Sequence, residues 1–283
     1  MSIVRITSDS TADLEYLFEQ KDIPVMPLYI ELEGKEYRDG IDINPANIFE
    51  TYDQKKILPK TAAVNSVEYT DFFAKHKPPN GQLIHFACSN ELSLSYANAK
   101  AAADEMEGVF VIDSRSLSTG IGLLVLKALE LVQAGMAAQA IVDKINELAP
   151  QVQASFIVNN LEFLHKGGRC SGLQMILAGI LKIRPVLQVE GGKIIPARKY
   201  KFSPFSKSMV RYIEETLAKY NTPDYARIFI THSHVEEELV DQAKALIKQL
   251  APDFKEIIET KAGSTITTHC GKGTLGILYI NGN

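Results

Sequence analysis

Apolar positions along this chain follow two periods. In its first half, short solid apolar runs lead into stretches whose apolar residues recur every three to four positions. "IVRIT" (3–7) precedes "TADLEYLFEQ" (11–20), "GQLIHFAC" (81–88) precedes "LSLSYANAKAAADEM" (92–106), and "GVFVIDS" (108–114) precedes "TGIGLLVLKALELVQAG" (119–135). A solid apolar run of strand length marks a strand buried on both faces, and the three-to-four spacing marks an amphipathic helix. Strands alternating with helices predict βαβ units and a mostly parallel sheet flanked by helices. "IPVMPLYIEL" (23–32) reads as a pair of extended segments.

From about residue 151 the texture changes. "VQASFIVNN" (152–160) reads as a strand, and "LEFLHKGG" and "GLQMILAGIL" read as short helices split by Gly167-Gly168-Arg169. "IRPVLQVEGGKIIPARKYKF" (183–202) is two extended runs around Gly191-Gly192, a hairpin signal. A helix at 205–220, a strand at 226–233, a helix at 235–250 and strands at 254–260 and 274–280 complete the pattern. The chain therefore reads as α/β, with two α/β domains, 1–150 and 151–283, and no internal repeat.

Composition narrows the function classes. The 283 residues are 46% hydrophobic and 23% charged, ordinary for a globular protein with a full core. The net charge of −4 gives no electrostatic footprint for nucleic acid. No run approaches the length of a membrane span, and the N-terminus shows no secretory h-region. Cys88, Cys170 and Cys270 are odd in number and far apart, which argues against a disulfide framework or a structural zinc site. A reducing cytoplasm is the expected compartment.

Residues 268–276, T-H-C-G-K-G-T-L-G, contain G-x-G-x-x-G, yet too few residues follow Gly276 for the helix, strand and acid of a dinucleotide site. Glycine lets backbone approach a ligand closely, so a His-Gly loop around His269 and Gly271 could cradle an oxyanion. The alternative is a histidine that is simply structural. Three predicted strand ends are rich in hydroxyls: Thr7 to Thr11 with Asp9 and Ser10, Ser89 to Ser95, and Ser114 to Thr119 with Ser118. Helix N-termini favour anions there, while plain N-capping explains any one cluster equally well. Arg169 reads as a surface charge or an anion fork. His232-x-His234 lacks a matching metal partner, and Ser233 with Glu236 fits a capping box. No G-x-S-x-G elbow and no Walker A loop are present.

Several ordered blocks resemble the DegV family of bacterial fatty-acid-binding proteins: "ITSDSTADL" (6–14), "YRDGIDI" (37–43), "LPKTAAVNSVEY" (58–69), "LSLSYANA" (92–99), "VIDSRSLSTGIGLLV" (111–125), "LEFLHKGGRCS" (161–171) and "THCGKGTLG" (268–276). The resemblance covers nearly the whole chain. It implies a long-chain fatty acid such as palmitate in an apolar tunnel between two domains. Thr61, Ser93 and His269 would hold the carboxylate, with Arg169 near the head group. Asp9, Ser10, Ser89, Ser95, Ser118 and Gly271 are further candidates for the head-group site or its loops. It also implies a carrier rather than an enzyme. The carrier would need no cofactor beyond its lipid, and would present the acid to a separate ATP-dependent fatty acid kinase whose acyl phosphate feeds phospholipid synthesis, with transient membrane contact. A Ser93/His269 hydrolase or a phosphoryl-transfer domain is the competing class. The chain departs from the family pattern at Ala62-Ala63-Val64, at Leu94-Ser95 and at Lys201. About fifteen buried methylenes at roughly 0.8 kcal/mol each supply about 12 kcal/mol gross, before association costs of roughly 4–15 kcal/mol. The tail should dominate affinity and the head group should set orientation.

Overall fold

The computed structural model describes residues 3–159, 161–170, 183–201, 204–219 and 223–282; the predicted helix "GLQMILAGIL" lies outside them. The chain opens with β1 (Val4–Asp9), α1 (Glu15–Lys21), β2 (Val25–Met26), β3 (Tyr29–Leu32) and β4 (Lys35–Arg38). Next come α2 (Pro45–Lys55), β5 (Lys60–Ala62), α3 (Ser66–His76), β6 (Gln82–Ala87) and α4 (Ser95–Asp104). Then follow β7 (Val109–Asp113), α5 (Thr119–Gln133), α6 (Ala138–Leu148), β8 (Val152–Ile157) and α7 (Leu161–Gly167). The remainder is β9 (Ile183–Glu190), β10 (Lys193–Lys201), α8 (Phe205–Lys219), β11 (Pro223–Ser233), α9 (Glu237–Leu250), β12 (Glu256–Lys261), α10 (Ser264–Cys270) and β13 (Thr274–Asn281).

The predicted parallel sheet forms in the order β2-β1-β6-β7, every pair parallel. Its central strand β6 is almost wholly buried, as a solid apolar run with helices on both faces must be. The second sheet, β10-β9-β8-β13-β11-β12, is antiparallel except between β11 and β12. The β9–β10 hairpin turns at Gly191 and Gly192, with φ of +58° and +86°, values that glycine adopts without strain. A third sheet, β4-β3-β5, is antiparallel; of its strands only β3 is foreshadowed, as the second of the extended segments at 23–32. Its strands are at most four residues long, too short for a period-2 signal. Helices α2, α3 and α6 were likewise not predicted. Asn44 and Asn65 nonetheless start α2 and α3 with complete capping boxes.

Helix α5 joins the layers. It is buried from Thr119 to Leu126 and packs on β1 and β6 on one side and on β8 and β13 on the other. One apolar core consequently runs from Ile6 and Phe86 through Leu124 to Phe156 and Leu278. Strands β8 and β13 sort their residues by alternation. Ala154, Phe156 and Leu278 face this core, while Ile157, Ile277 and Tyr279 pack with Tyr212 and Met209 on the opposite face.

Candidate functional site

The sheets leave a cavity of about 300 Å³ between them. Its inner wall is largely apolar, with Leu117, Ala154, Phe156, Ile194 and Leu278 drawn from both large sheets and the start of α5. Thr61, Ser93, Arg169 and His269 line the same cavity, so the four ligand-binding residues suggested by resemblance come together. They stand on β5, before α4, after α7 and on α10.

Thr61 and His269 meet directly, with Thr61 Oγ1 2.8 Å from His269 Nε2. Two short elements bring them together. Strand β5 is held in register on β3, with Thr61 opposite Ile30. Helix α10 is anchored at its N-terminus by carboxylates from the first part of the chain. Asp39 accepts from the amides of Ser264 and Thr265 at 2.9 and 3.2 Å, and Asp13 accepts from the Gly263 amide at 2.9 Å. Carboxylates suit a helix N-terminus because its first amides lack intrahelical partners and carry partial positive charge.

The glycine-rich segment has a packing explanation. The expected His-Gly loop is in fact the last turn of α10 with His269 on it, and Gly271 ends that helix at φ +70°. A Cβ on Gly271 would lie 2.9 Å from the Phe163 ring, and one on Gly273 would lie 2.9 Å from the Asn159 side chain. Gly167 also approaches closely, since a Cβ there would stand 2.5 Å from His269 Nδ1. Gly167 and Gly271 let α7 and α10 touch and fix the imidazole between them.

His269 is half-buried as a residue and lines the cavity, with its Nδ1 buried. Burial and the neighbouring Arg169 guanidinium push its pKa down from 6.5 to about 4. The Gly167 carbonyl opposes this weakly, without reaching hydrogen-bond geometry to Nδ1. That carbonyl instead accepts from Arg169 Nη1 at 3.0 Å, which holds the exposed guanidinium against the site. At neutral pH the imidazole is therefore uncharged. A histidine that resists protonation when folded but protonates near pH 6.5 when unfolded weakens the fold on acidification. Its contribution is fully present above pH 6.5 and is lost as pH falls toward about 4. Urea unfolding at neutral pH and at about pH 5 should show a smaller acid loss in His269→Gln than in the wild type. Equal losses would show that the ring is solvated like a surface histidine.

Ser93 Oγ accepts from the Ser95 amide at 3.2 Å and lies 2.9 Å from Ser95 Oγ, so Ser95 supports Ser93 from behind. Ser93 and His269 share no hydrogen bond among the described residues, and the nucleophile–base contact of a hydrolase is not formed. Leu94, one of the departures from the family pattern, lines the cavity and is 68% exposed as a residue. Ser118 also lines the cavity and donates to Asp13 at 2.5 Å. The other candidates are turned elsewhere. Asp9 is fully buried and accepts from Tyr69 Oη, His85 Nε2 and the Cys88 amide at 2.7, 3.1 and 3.0 Å. Ser10 donates to Asp39 at 3.0 Å, and Ser89 donates to the Gly192 carbonyl at 2.8 Å, stitching the first sheet to the β9–β10 hairpin.

His232 Nε2 pairs with Glu259 at 3.1 Å, and no metal-binding cluster occurs among the described residues. The capping box expected from Ser233 and Glu236 does not form. Glu236 itself occupies the N-cap of α9 without a side-chain bond, and Ser233 Oγ contacts Thr267 Oγ1 at 3.2 Å. No described helix is long and apolar enough to cross a membrane.

The DegV family model matches residues 3–282. The chain belongs to the DegV family. A DegV domain-containing protein of Clostridium acetobutylicum is 30% identical over 283 residues, covering 99% of both chains. The Bacillus subtilis protein DegV is 27% identical, covering 98% of both. Among solved structures, a fatty-acid-binding DegV family protein of Thermus thermophilus superposes with a TM-score of 0.83 at 26% identity, over 98% of this chain and 99% of that one. A Thermotoga maritima protein described by its fatty acid binding function gives 0.79 at 27% identity, over 99% and 100%. The DegV family fold thus accounts for the α/β architecture with its parallel sheet and second sheet. The sequence reading missed Asp13 and Asp39 as anchors of α10, and Thr265 on the cavity wall. One signal was available for the last, since Thr265 stands four residues before His269 and shares its helix face.

Proposed function

We propose that this protein binds a long-chain fatty acid, with the acyl chain in the cavity between two α/β domains, 1–150 and 151–283. In this reading Thr61, Ser93 and His269 receive the carboxylate. The observation that carries it is the Thr61–His269 contact of 2.8 Å at an otherwise largely apolar cavity. An ionised carboxylate is costly to bury unless hydrogen-bonded, and hydroxyls and an imidazole provide the donors. The fatty-acid-binding relatives from Thermus thermophilus and Thermotoga maritima support the assignment. Arg169 is exposed beside His269 and adds positive charge without being buried. That placement suits a carrier whose head group must be offered to a second protein, a separate ATP-dependent fatty acid kinase, and an acyl phosphate needs more positive charge than a carboxylate does.

Native mass spectrometry of the purified protein should show a mass increment that vanishes on denaturation and matches a monocarboxylic fatty acid in the extracted lipid. A ligand-free protein that also ignores added palmitate would refute the reading. Calorimetry should show each of Thr61→Ala, Ser93→Ala and His269→Ala losing about 0.5–1.5 kcal/mol of affinity, more where the partner is charged. In a coupled assay ATP should be consumed only when kinase, fatty acid and this protein are all present. His269→Ala and Arg169→Ala should lower that rate more than they lower affinity.

A further inference from the structure

A buried hydrogen bond ties the loop that carries Ser93 to the second sheet. Ser89, fully buried after β6, donates its hydroxyl to the Gly192 carbonyl at 2.8 Å. The same hydroxyl accepts from the Glu91 amide at 3.3 Å, and the Ser89 carbonyl accepts from the Leu92 and Ser93 amides at 2.9 and 3.1 Å. Ser89 therefore fixes the backbone of Ser93 on one side and holds the tip of the β9–β10 hairpin on the other. The Lys193–Glu91 ion pair at 3.3 Å spans the same junction, but both side chains are half-exposed and such pairs contribute little. Two residues past Gly192, Ile194 lines the cavity and forms an isolated bridge with Cys170, the neighbour of Arg169. One strand end thus reaches both the Ser93 loop and the Arg169 segment.

The two glycines of the hairpin turn differ in what surrounds them. Gly192 has φ +86°, and a Cβ there would lie 2.6 Å from Ser89 Oγ and 3.4 Å from Glu91 Cγ. Gly191 also has positive φ, +58°, yet a Cβ on it would meet nothing within 4 Å. The turn asks for glycine at both positions, but the close approach to Ser89 asks for it only at Gly192. Resting on the fatty-acid reading above, we propose that Gly192 is a positioning residue for the head-group site. From the second sheet it sets, through Ser89, where Ser93 stands in the cavity. The first sheet holds the same loop at its start, where the Ser116 carbonyl and the Asp113 carboxylate accept from the Ser89 and Asn90 amides at 3.0 and 3.3 Å. Loss of the Gly192 contact therefore loosens Ser93 while the sheet below it stays formed.

The test compares Gly192→Ala with Gly191→Ala, which strains the same turn without touching Ser89. Ser89→Ala breaks the contact from the other side, and thermal unfolding checks the fold of all three. In the ligand-free protein, hydrogen exchange over residues 89–95 should quicken in Gly192→Ala and Ser89→Ala and keep its wild-type rate in Gly191→Ala. Palmitate affinity, read by displacement of a fluorescent fatty acid, should fall about two- to tenfold in the first two, the effect of one hydrogen bond. It should hold in Gly191→Ala. On a Ser93→Ala background Gly192→Ala should cost nothing further, whereas on a Thr61→Ala background its loss should add in full. Equal effects of Gly191→Ala and Gly192→Ala, or a loss that adds in full to Ser93→Ala, would overturn the positioning role. A Ser93→Ala protein that binds palmitate like the wild type, with the exchange pattern as expected, would instead overturn the head-group reading of Ser93 and the binding role of Gly192 with it.

Discussion

Ala154→Phe is expected to lower fatty-acid affinity by about two orders of magnitude while leaving the fold intact. Ala154 lies on β8, lines the cavity and belongs to the core face that includes Phe156 and Leu278. A benzyl group placed there occupies the room of roughly four methylenes, each contributing about 0.8 kcal/mol, so about 3 kcal/mol of binding is lost. The same side chain fills empty space, and filling a cavity relieves the penalty that cavities carry. Thermal stability should stay level or rise. Titration with a fluorescent fatty acid, paired with a melting curve, separates the two effects. Unchanged affinity would place the tail outside this cavity. The contrast with Ser93→Ala, expected to cost no more than an ordinary hydrogen bond, tests the division of labour between tail and head group.

Asp39→Ala should be the most damaging single change to the site's architecture. Its carboxylate accepts from the Ser264 and Thr265 amides and from Ser10 Oγ, and the residue is 4% exposed. Alanine would strand two buried amides at the start of α10, with an expected loss of about 3 kcal/mol in unfolding free energy. At its N-terminus the helix that carries His269 would keep only the Asp13 and Ile43 bonds to the first part of the chain, and Thr61 would face a less firmly held partner. Asp39→Asn keeps one side-chain acceptor and should recover part of the stability. Denaturant unfolding measures the first effect. The His269 titration followed by NMR measures the second, because a ring released from its buried seat returns toward pH 6.5 from about 4. An Asp39→Ala protein with wild-type stability and an unmoved His269 titration would show that α10 is held by other means.

Much of the fold was legible in the chain. The apolar runs at 81–88 and 108–114 are strands as read, the first buried on both faces and the second half-buried at the sheet edge, and Gly191-Gly192 is the turn, because apolar runs and glycine's tolerance of positive φ are local properties. The family blocks likewise named Thr61, Ser93, Arg169 and His269 together, and the structure brings all four to one cavity. What the chain concealed was every relation made between distant segments. The T-H-C-G-K-G-T-L-G segment looks like a ligand loop as text. In three dimensions it is a helix end whose glycines exist because Phe163 and Asn159 leave no space for a Cβ. Asp39 stands 225 residues before the amide of Ser264 that it caps, and no period or spacing rule reaches across that distance. The strands β4 and β5 are too short to announce themselves, yet β5, paired on β3, places Thr61 against His269 from 208 residues away. The sequence by itself determined the elements, their class and the chemistry available. Tertiary packing alone decided which hydroxyls face the cavity, because a side chain's partners depend on what is buried beside it.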